Sequence, residues 1–393
     1  MNASSRRRRR GWIIVLAAAA IAVAAAAAVA GAASRQASAK GTVKIGFLNA
    51  LTGPYAVAGG PELSAVKLGI SDINASGGVC GQQMKLAATA DDQGQANLSV
   101  AGLRKLVQQD GVKLIIGPGI TPPARADAPV AESLKVLLIV ETAQRDPWQG
   151  RSYVFSTVTP QDVYAPLMVD YMAKKLGAGK HKVAILYANV PYAVFGYDLL
   201  KQAIAKRGWS IVTSDNWDVT KFDFTAQAQK VTHAKPQGLF FWGAATPADA
   251  QILKQVRAAG YSGPAVGDVA YTLPFIPSVA GNSAAGTIVA PSQLNTVNPD
   301  PATAEFISGF KKATKQPPTF LSGQAYDNVH IIAAAVKRAG CKTDPGSVAK
   351  AMIGLRYKGV TGLFQYSSSY KGGPEASSFK EITWKNGQTV YVH

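Results

Sequence analysis

Two patterns alternate along the chain. Short apolar runs at Val43 to Leu48, Met84 to Ala90, Leu114 to Ile116 and Val136 to Val140 predict strands. Between them, Pro61 to Ile73, Gln95 to Gln109 and Ala124 to Leu134 space apolar residues three and four apart, which predicts helices. Leu98, Leu103, Leu106 and Val107 share one side of the second helix. Strands that stay apolar on both faces are covered on both faces, so this alternation predicts a parallel sheet between layers of helix.

The pattern then restarts. Strands are predicted at Val183 to Tyr187, Trp209 to Val212, Leu239 to Trp242 and Pro264 to Gly267. Helices are predicted at Val163 to Leu176, Asp198 to Lys206, Phe224 to Thr232 and Ala248 to Ala259. Two α/β units of similar size point to a duplicated architecture. A helix-rich stretch follows (Ala302 to Lys315, Leu321 to Ala339, Ser347 to Met352). The chain finishes with Phe379 to Trp384 and Thr389 to Val392 around the hairpin turn signal Asn386-Gly387.

Ahead of the first strand, Arg6 to Arg10 lead into an apolar stretch running to Ala33. Cations followed by an apolar segment make an export signal, with small-residue cleavage sites at Ala30 and Ala32 or at Gly31 and Ala33. The polar linker Ser34 to Lys40 favours cleavage; an uncleaved membrane anchor is the alternative, since about 20 apolar residues span a bilayer. The remainder is therefore expected to work outside the cytoplasm, without ATP or reduced cofactors.

The chain carries 41 Lys and Arg against 23 Asp and Glu, a formal charge of +18. Seven of the cations and none of the acids lie in residues 1–40, so the rest carries about +11. Its lysines are scattered, with neither a basic block nor an aromatic-basic repeat, which describes a solvated exterior and no nucleic-acid partner. Cys80 and Cys341 admit one pairing in an oxidising compartment; two separate buried thiols are the alternative.

Catalytic patterns are sparse. His181, His233, His330 and His393 show no metal-ligand spacing and are expected to be solvated. There is no G-x-S-x-G elbow. Gly177-Ala178-Gly179-Lys180 lacks the spacing of a phosphate loop. Asp91-Asp92 is expected to turn the chain and cap the next helix. No enzyme, cofactor or metal is implied.

In parallel sheets ligands sit beyond the carboxyl ends of the strands. In the first unit those loops are Leu51 to Tyr55, Gly117 to Pro123 and Glu141 to Gln144, rich in hydroxyls, amides and glycine. In the second they are Asn189 to Gly196, Trp242 to Ala245 and Asp268 to Tyr271, rich in aromatics. Such walls suit a small polar ligand with an apolar part.

These residues resemble the branched-chain amino-acid type of periplasmic solute-binding protein, the type I fold that feeds ABC importers. The resemblance is carried by Ile45-Gly46, Leu51-Thr52-Gly53-Pro54, Gly77-Gly78-Val79 before Gly81, Asp91-Asp92 and Ile116-Gly117-Pro118. It continues through Ala128 to Glu132, Asp223-Phe224-Thr225 and Ala325-Tyr326-Asp327, an ordered series over about residues 42–385.

The resemblance implies an α/β fold of two Rossmann-like lobes joined by three hinge crossovers. One lobe would hold 42–158 and 291–358, the other 159–290 and 359–393. Cys80 and Cys341 would then share a lobe, which favours their disulfide. Carried over by position, Thr121 would hold a ligand carboxylate and Thr142 would add backbone and hydroxyl contacts. Phe195, with Tyr192 and Tyr197, would supply the closing lobe's aromatics. Asp268 and Tyr271 would pair the ligand's ammonium.

Tyr55, Gln144 and Trp242 complete the expected site from the same loops. Trp242 has a core position as its alternative, Tyr197 a helix surface and Asp268 a turn. Pro122-Pro123 after Thr121, Ala143-Gln144 after Thr142, and Ala245 in place of an aromatic depart from the family pattern. These departures leave the ligand open among amino acids, amides, short peptides, aromatic acids and polyols.

The implied function is a monomeric extracytoplasmic receptor that closes on a ligand and presents it to an ABC permease. A membrane-anchored sensor with the same clamshell, and a secreted Rossmann-like enzyme, are the rival readings.

Overall fold

The computed structural model describes residues 41–392 apart from Thr287. The expected export segment and His393 lie outside the described residues. The first unit runs β1 (Val43–Asn49), α1 (Ala56–Ala75), β2 (Met84–Asp91), α2 (Ala96–Gln108), β3 (Leu114–Ile116), α3 (Thr121–Leu134), β4 (Leu137–Val140) and β5 (Val154–Ser156). The second runs α4 (Gln161–Leu176), β6 (Lys182–Ala188), α5 (Pro191–Lys206), β7 (Ser210–Trp217), α6 (Thr225–Ala234), β8 (Gly238–Trp242), α7 (Pro247–Ala258), β9 (Ala265–Gly267), α8 (Phe275–Ala280) and β10 (Ile288–Ser292). The chain returns through α9 (Pro301–Thr314), α10 (Phe320–Arg338), α11 (Pro345–Met352), β11 (Arg356–Gly359), β12 (Gly362–Gln365), β13 (Lys380–Lys385) and β14 (Gln388–Tyr391).

The order of the first sheet is β2-β1-β3-β4-β5, parallel throughout. The second contains β7-β6-β8-β9-β10 in the same parallel arrangement, extended by antiparallel β13 and β14. Each sheet therefore reverses direction of growth beside its first strand. Helices leave opposite faces at that point, and the crevice between them is where a doubly wound sheet receives ligand.

Burial explains the strands. Val43, Ile45 and Phe47 pack on one side of the first sheet with Val329 and Ile332 of α10. Leu48, Ile115 and Val140 face the other side with Leu103, Ala128 and Trp148. The second lobe packs Ile185, Phe240 and Val266 with Met168, Leu200 and Leu253. The late helices start where the sequence supplies caps. Asp300 accepts the Thr303 N–H ahead of Pro301, and Asp344 accepts the Ser347 N–H ahead of Pro345.

Several expected bounds move. The first helix begins at Ala56 rather than Pro61, which lies inside it. The fifth begins at Pro191, not Asp198, because proline's fixed φ and missing N–H suit a first helical turn. β7 continues to Trp217. Asp92 makes its turn by accepting the Gly94 N–H at 2.7 Å, but Gln95 stands at the N-terminus of α2 without a side-chain cap. Two of the histidines differ from the expectation of solvent exposure: His181 is buried against Trp209, and His330 is half-buried and packs on Tyr326.

The crossovers need the same correction. β10 stays in the second sheet through Ser292, which pairs with Lys380. The expected boundary at 358/359 falls inside the β11–β12 hairpin, where Gly359 pairs with Gly362. Phe364 and Tyr366 still pack in the first lobe's core, so the third crossover begins after Tyr366. The crossovers are tied together. Gln324 of α10 donates to Gln293 at 2.9 Å, Gln293 donates to Thr159 at 2.7 Å, and the Thr159 hydroxyl donates to the Pro374 carbonyl at 2.5 Å.

Cys80 and Cys341 form a disulfide across 261 residues, with their Cα atoms 5.9 Å apart. It joins the loop after α1 to the end of α10, both on the first lobe.

Candidate binding site

The switch points of the two sheets face each other across a cavity of about 210 Å³. The first lobe lines it with Asn49 at the end of β1, Thr121 at the start of α3, and Glu141 and Thr142 beyond β4. The second lobe lines it with Tyr192 in the first turn of α5, Ala244 and Ala245 beyond β8, and Val269 and Ala270 beyond β9. Tyr164 of α4, the hinge residues Thr159 and Gln293, and Phe320 and Leu321 of α10 line it as well. Leu273 of the second lobe packs into the first lobe's core, so the jaws meet beside the cavity.

Of the residues expected from sequence, Tyr55, Thr121, Thr142 and Tyr192 lie on this wall. The Thr121 and Thr142 hydroxyls are 2.9 Å apart, both buried. Tyr55 is fixed by Gly94: a Cβ there would lie 2.7 Å from the ring, and φ is +75°.

The other six stand elsewhere. Gln144 is buried but accepts from Arg125, which turns it away from the cavity. Phe195 is 41% exposed on α5. Tyr197 stacks on Tyr187 with ring centroids 4.3 Å apart and bonds Ser214. Trp242 is fully buried and stacks on Tyr164; Gly196 leaves room for it, since a Cβ there would lie 2.0 Å from the indole. Tyr271 is buried against Phe241. Asp268 is fully buried because the chain coils into a short 3-10 turn over Val269–Thr272 immediately after it.

Asp268 still acts on the cavity through Tyr192. The Tyr192 hydroxyl donates to its carboxylate at 2.9 Å, and the Gly243 N–H donates at 3.0 Å. With that proton committed, Tyr164 is the donor in its 2.6 Å contact with Tyr192. Burial pushes the Asp268 carboxyl up to about 7. Asp249, which closes the capping box of α7 with Thr246, is also pushed up to about 7, by burial and then by Asp268.

Glu62, the Glu141 side chain, Asn49 and Tyr164 also line the cavity, beyond the residues expected from sequence. Glu62 and Tyr164 sit inside helical runs, where a single polar residue carries no signal of what it faces. Glu141 opens the loop Glu141 to Gln144, one of those expected to face ligand.

Residues 42–385 match the family model described as "Periplasmic binding protein". The chain belongs to that family. Among relatives, "Leu/Ile/Val-binding protein homolog 3" of Brucella melitensis is 29% identical over 358 residues, spanning 90% of this chain and 94% of the relative. The "Leucine-, isoleucine-, valine-, threonine-, and alanine-binding protein" of Pseudomonas aeruginosa is 26% identical, with 89% and 92% covered. The structure of LivJ from Streptococcus pneumoniae, in complex with isoleucine, superposes with a TM-score of 0.78 at 22% identity, covering 88% of this chain and 97% of LivJ. A solute binding protein of Rhodopseudomonas palustris, in complex with 3,4-dihydroxy benzoic acid, gives 0.78 at 23% identity, with 89% and 96% covered. These likenesses fix the fold as that of type I periplasmic-binding proteins.

Proposed function

We propose that this protein is an extracytoplasmic receptor that captures a small polar ligand between its lobes and presents it, unaltered, to an ABC importer. The observation that carries the reading is the cavity itself, bounded at once by the switch points of both sheets. At about 210 Å³ it is smaller than the roughly 300–1,000 Å³ of drug-sized sites, which suits a ligand of amino-acid size.

Closure follows from the hinge. Three hydrogen-bonded crossovers allow the lobes to swing as bodies while each sheet keeps its own core. A ligand touching both walls stabilises the closed form by its differential affinity for that form and by nothing more. Lining by Thr159 and Gln293 puts the hinge in the ligand's reach. The protein acts as a monomer in this reading, and the permease recognises the closed pair.

The test is thermal-shift screening of purified residues 41–393 against amino acids, amides, short peptides, aromatic acids and polyols. A true ligand at about 100 times its Kd adds roughly 2.7 kcal/mol. Mass spectrometry after prolonged incubation should recover it unchanged. Conversion of the ligand, or no stabilisation by any class, would sink the reading.

A further inference from the structure

One part of the cavity wall is acidic in a way the receptor reading does not use. Glu62 of α1 and Glu141 beyond β4 both line the cavity and are 3% and 5% exposed. Their carboxyls share one donor, the Asn49 amide. Asn49 holds the pair in place. Its carbonyl oxygen accepts the N–H groups of Ala50 at 2.9 Å and Gly119 at 3.3 Å, so its amide nitrogen turns to the carboxyls. That nitrogen donates to Glu62 and, at 3.4 Å, to Glu141. Asn328 of α10 is fully buried and donates to Glu141 at 2.8 Å; its own carbonyl oxygen has no partner among the described residues.

The charged neighbours are acids too. Asp92 beyond β2 acts on Glu62, and Asp127 of α3 lies behind it, both bonded to Ser99. From the second lobe, Asp249 and Asp268 stand behind Tyr192 and Ala244. The described lining residues include no Lys, Arg or His. Pro122 and Pro123 remove two N–H donors that the start of α3 would otherwise offer an anion. Asp268, the expected ammonium partner, is already occupied by Tyr192 and Gly243.

Resting on the receptor reading, we propose that the ligand is a small aliphatic amine, and that its ammonium group seats on the Glu62–Glu141 pair. The apolar part then lies toward Tyr164, Tyr192 and Val269 on the second lobe. This reverses the ligand end for end relative to the orientation implied by the family resemblance.

The reversal has a sign. Burial pushes Glu62 up to about 7 and holds Glu141 well above the ordinary carboxylate range, with the Glu62 charge adding to the effect there. At neutral pH the pair therefore retains a proton, which an arriving ammonium expels. Affinity for an amine should rise with pH, by up to about tenfold per unit, through the window below about pH 7 in which Glu62 still holds its proton. A carboxylate ligand would accept that proton instead and bind more tightly as pH falls.

The experiment is calorimetry on residues 41–393 with isoamylamine, L-leucinamide, L-leucine and isocaproate at about pH 5.5, 7 and 8.5, in buffers of different ionisation enthalpy. Binding of isoamylamine or leucinamide, tighter from about pH 5.5 to 7 and with proton release at the acid end, is the expected result; leucinamide should weaken again at about pH 8.5, where an α-amino group titrating at about 8 has lost its proton. Glu62→Gln, checked for an unchanged fold by circular dichroism, should weaken that binding about 10- to 100-fold and flatten its pH dependence. Proton release by the unaltered protein tests the idea even if the variant misfolds. Binding of isocaproate alone, or of leucine with affinity falling as pH rises, overturns the amine assignment and leaves the receptor intact. Silence from all four compounds overturns the assignment; silence from the wider thermal-shift screen as well overturns the receptor.

Discussion

The two jaws close on the same cavity with different materials. The first lobe presents buried carboxyls, amides and hydroxyls: Glu62, Glu141, Asn49, Thr121 and Thr142. The second presents tyrosine rings and backbone, with its own carboxylates, Asp249 and Asp268, held one layer back. The sheets behind them share one strand order, so the fold does not impose this contrast. It arises from what stands at the strand ends, in the loops after them and on the first two turns of the helices. The first wall can discriminate charge; the second can shield it from water and pack on carbon.

The largest expected difference between the jaws comes from the disulfide, which staples only the first. Replacing Cys80 and Cys341 with alanine should destabilise that lobe by about 2–5 kcal/mol. Amide exchange across α1 and α10 should accelerate while α4 to α7 keep their rates. Equal loosening of both lobes would break the comparison. Gly196→Ala probes the second jaw, because its Cβ would press on Trp242; a loss of about 1–3 kcal/mol is expected in urea unfolding. No loss would mean that the aromatic layer is not packed as described.

A smaller effect involves pH. Glu62 on the first wall, and Asp249 and Asp268 behind the second, have folded-state values of about 7 against ordinary values of 4.5 and 3.8. Raised carboxyls bind protons better folded than unfolded. Ligand-free stability should therefore be greatest near the ordinary carboxyl range, fall as pH rises towards about 7, and then flatten. The lowered carboxyls, Asp91, Asp300 and Asp344, act with opposite sign in a lower window, below their ordinary value of 3.8. Glu62→Gln should shallow the slope without abolishing it, since the second jaw contributes independently. A flat profile from about pH 5 to 7 in the unaltered protein would contradict the burial account.

The smallest effects are on single hydroxyls. Tyr192→Phe frees Asp268 from one donor and should weaken ligand binding about tenfold. Thr121→Val should cost only a few-fold, because the Thr142 hydroxyl remains. The reverse ranking would make the Thr121 hydroxyl the larger of these two contributions.

The architecture was legible because buried parallel strands are written as continuous apolar runs, and their order of appearance gives two repeats. The loops after the strands were legible for the same reason, and four wall residues come from them. Three of the residues that stand off the wall were turned round by local coiling. The 3-10 turn after β9 folds Asp268 inward, and the early start of α5 carries Phe195 and Tyr197 off the cleft. Trp242 is drawn into the core by a glycine on a neighbouring helix, which no spacing rule records. Glu62 and Tyr164 became visible only once helix and cavity were brought together.

The central claim is that one ligand is held by both walls at once. Hydrogen–deuterium exchange of residues 41–393, with and without the tightest compound from the screen, tests it most directly. Protection is predicted together at 117–121 and 141–143 on the first lobe and at 192–194 and 243–246 on the second. Protection confined to one lobe, at full occupancy of the ligand, would contradict the account.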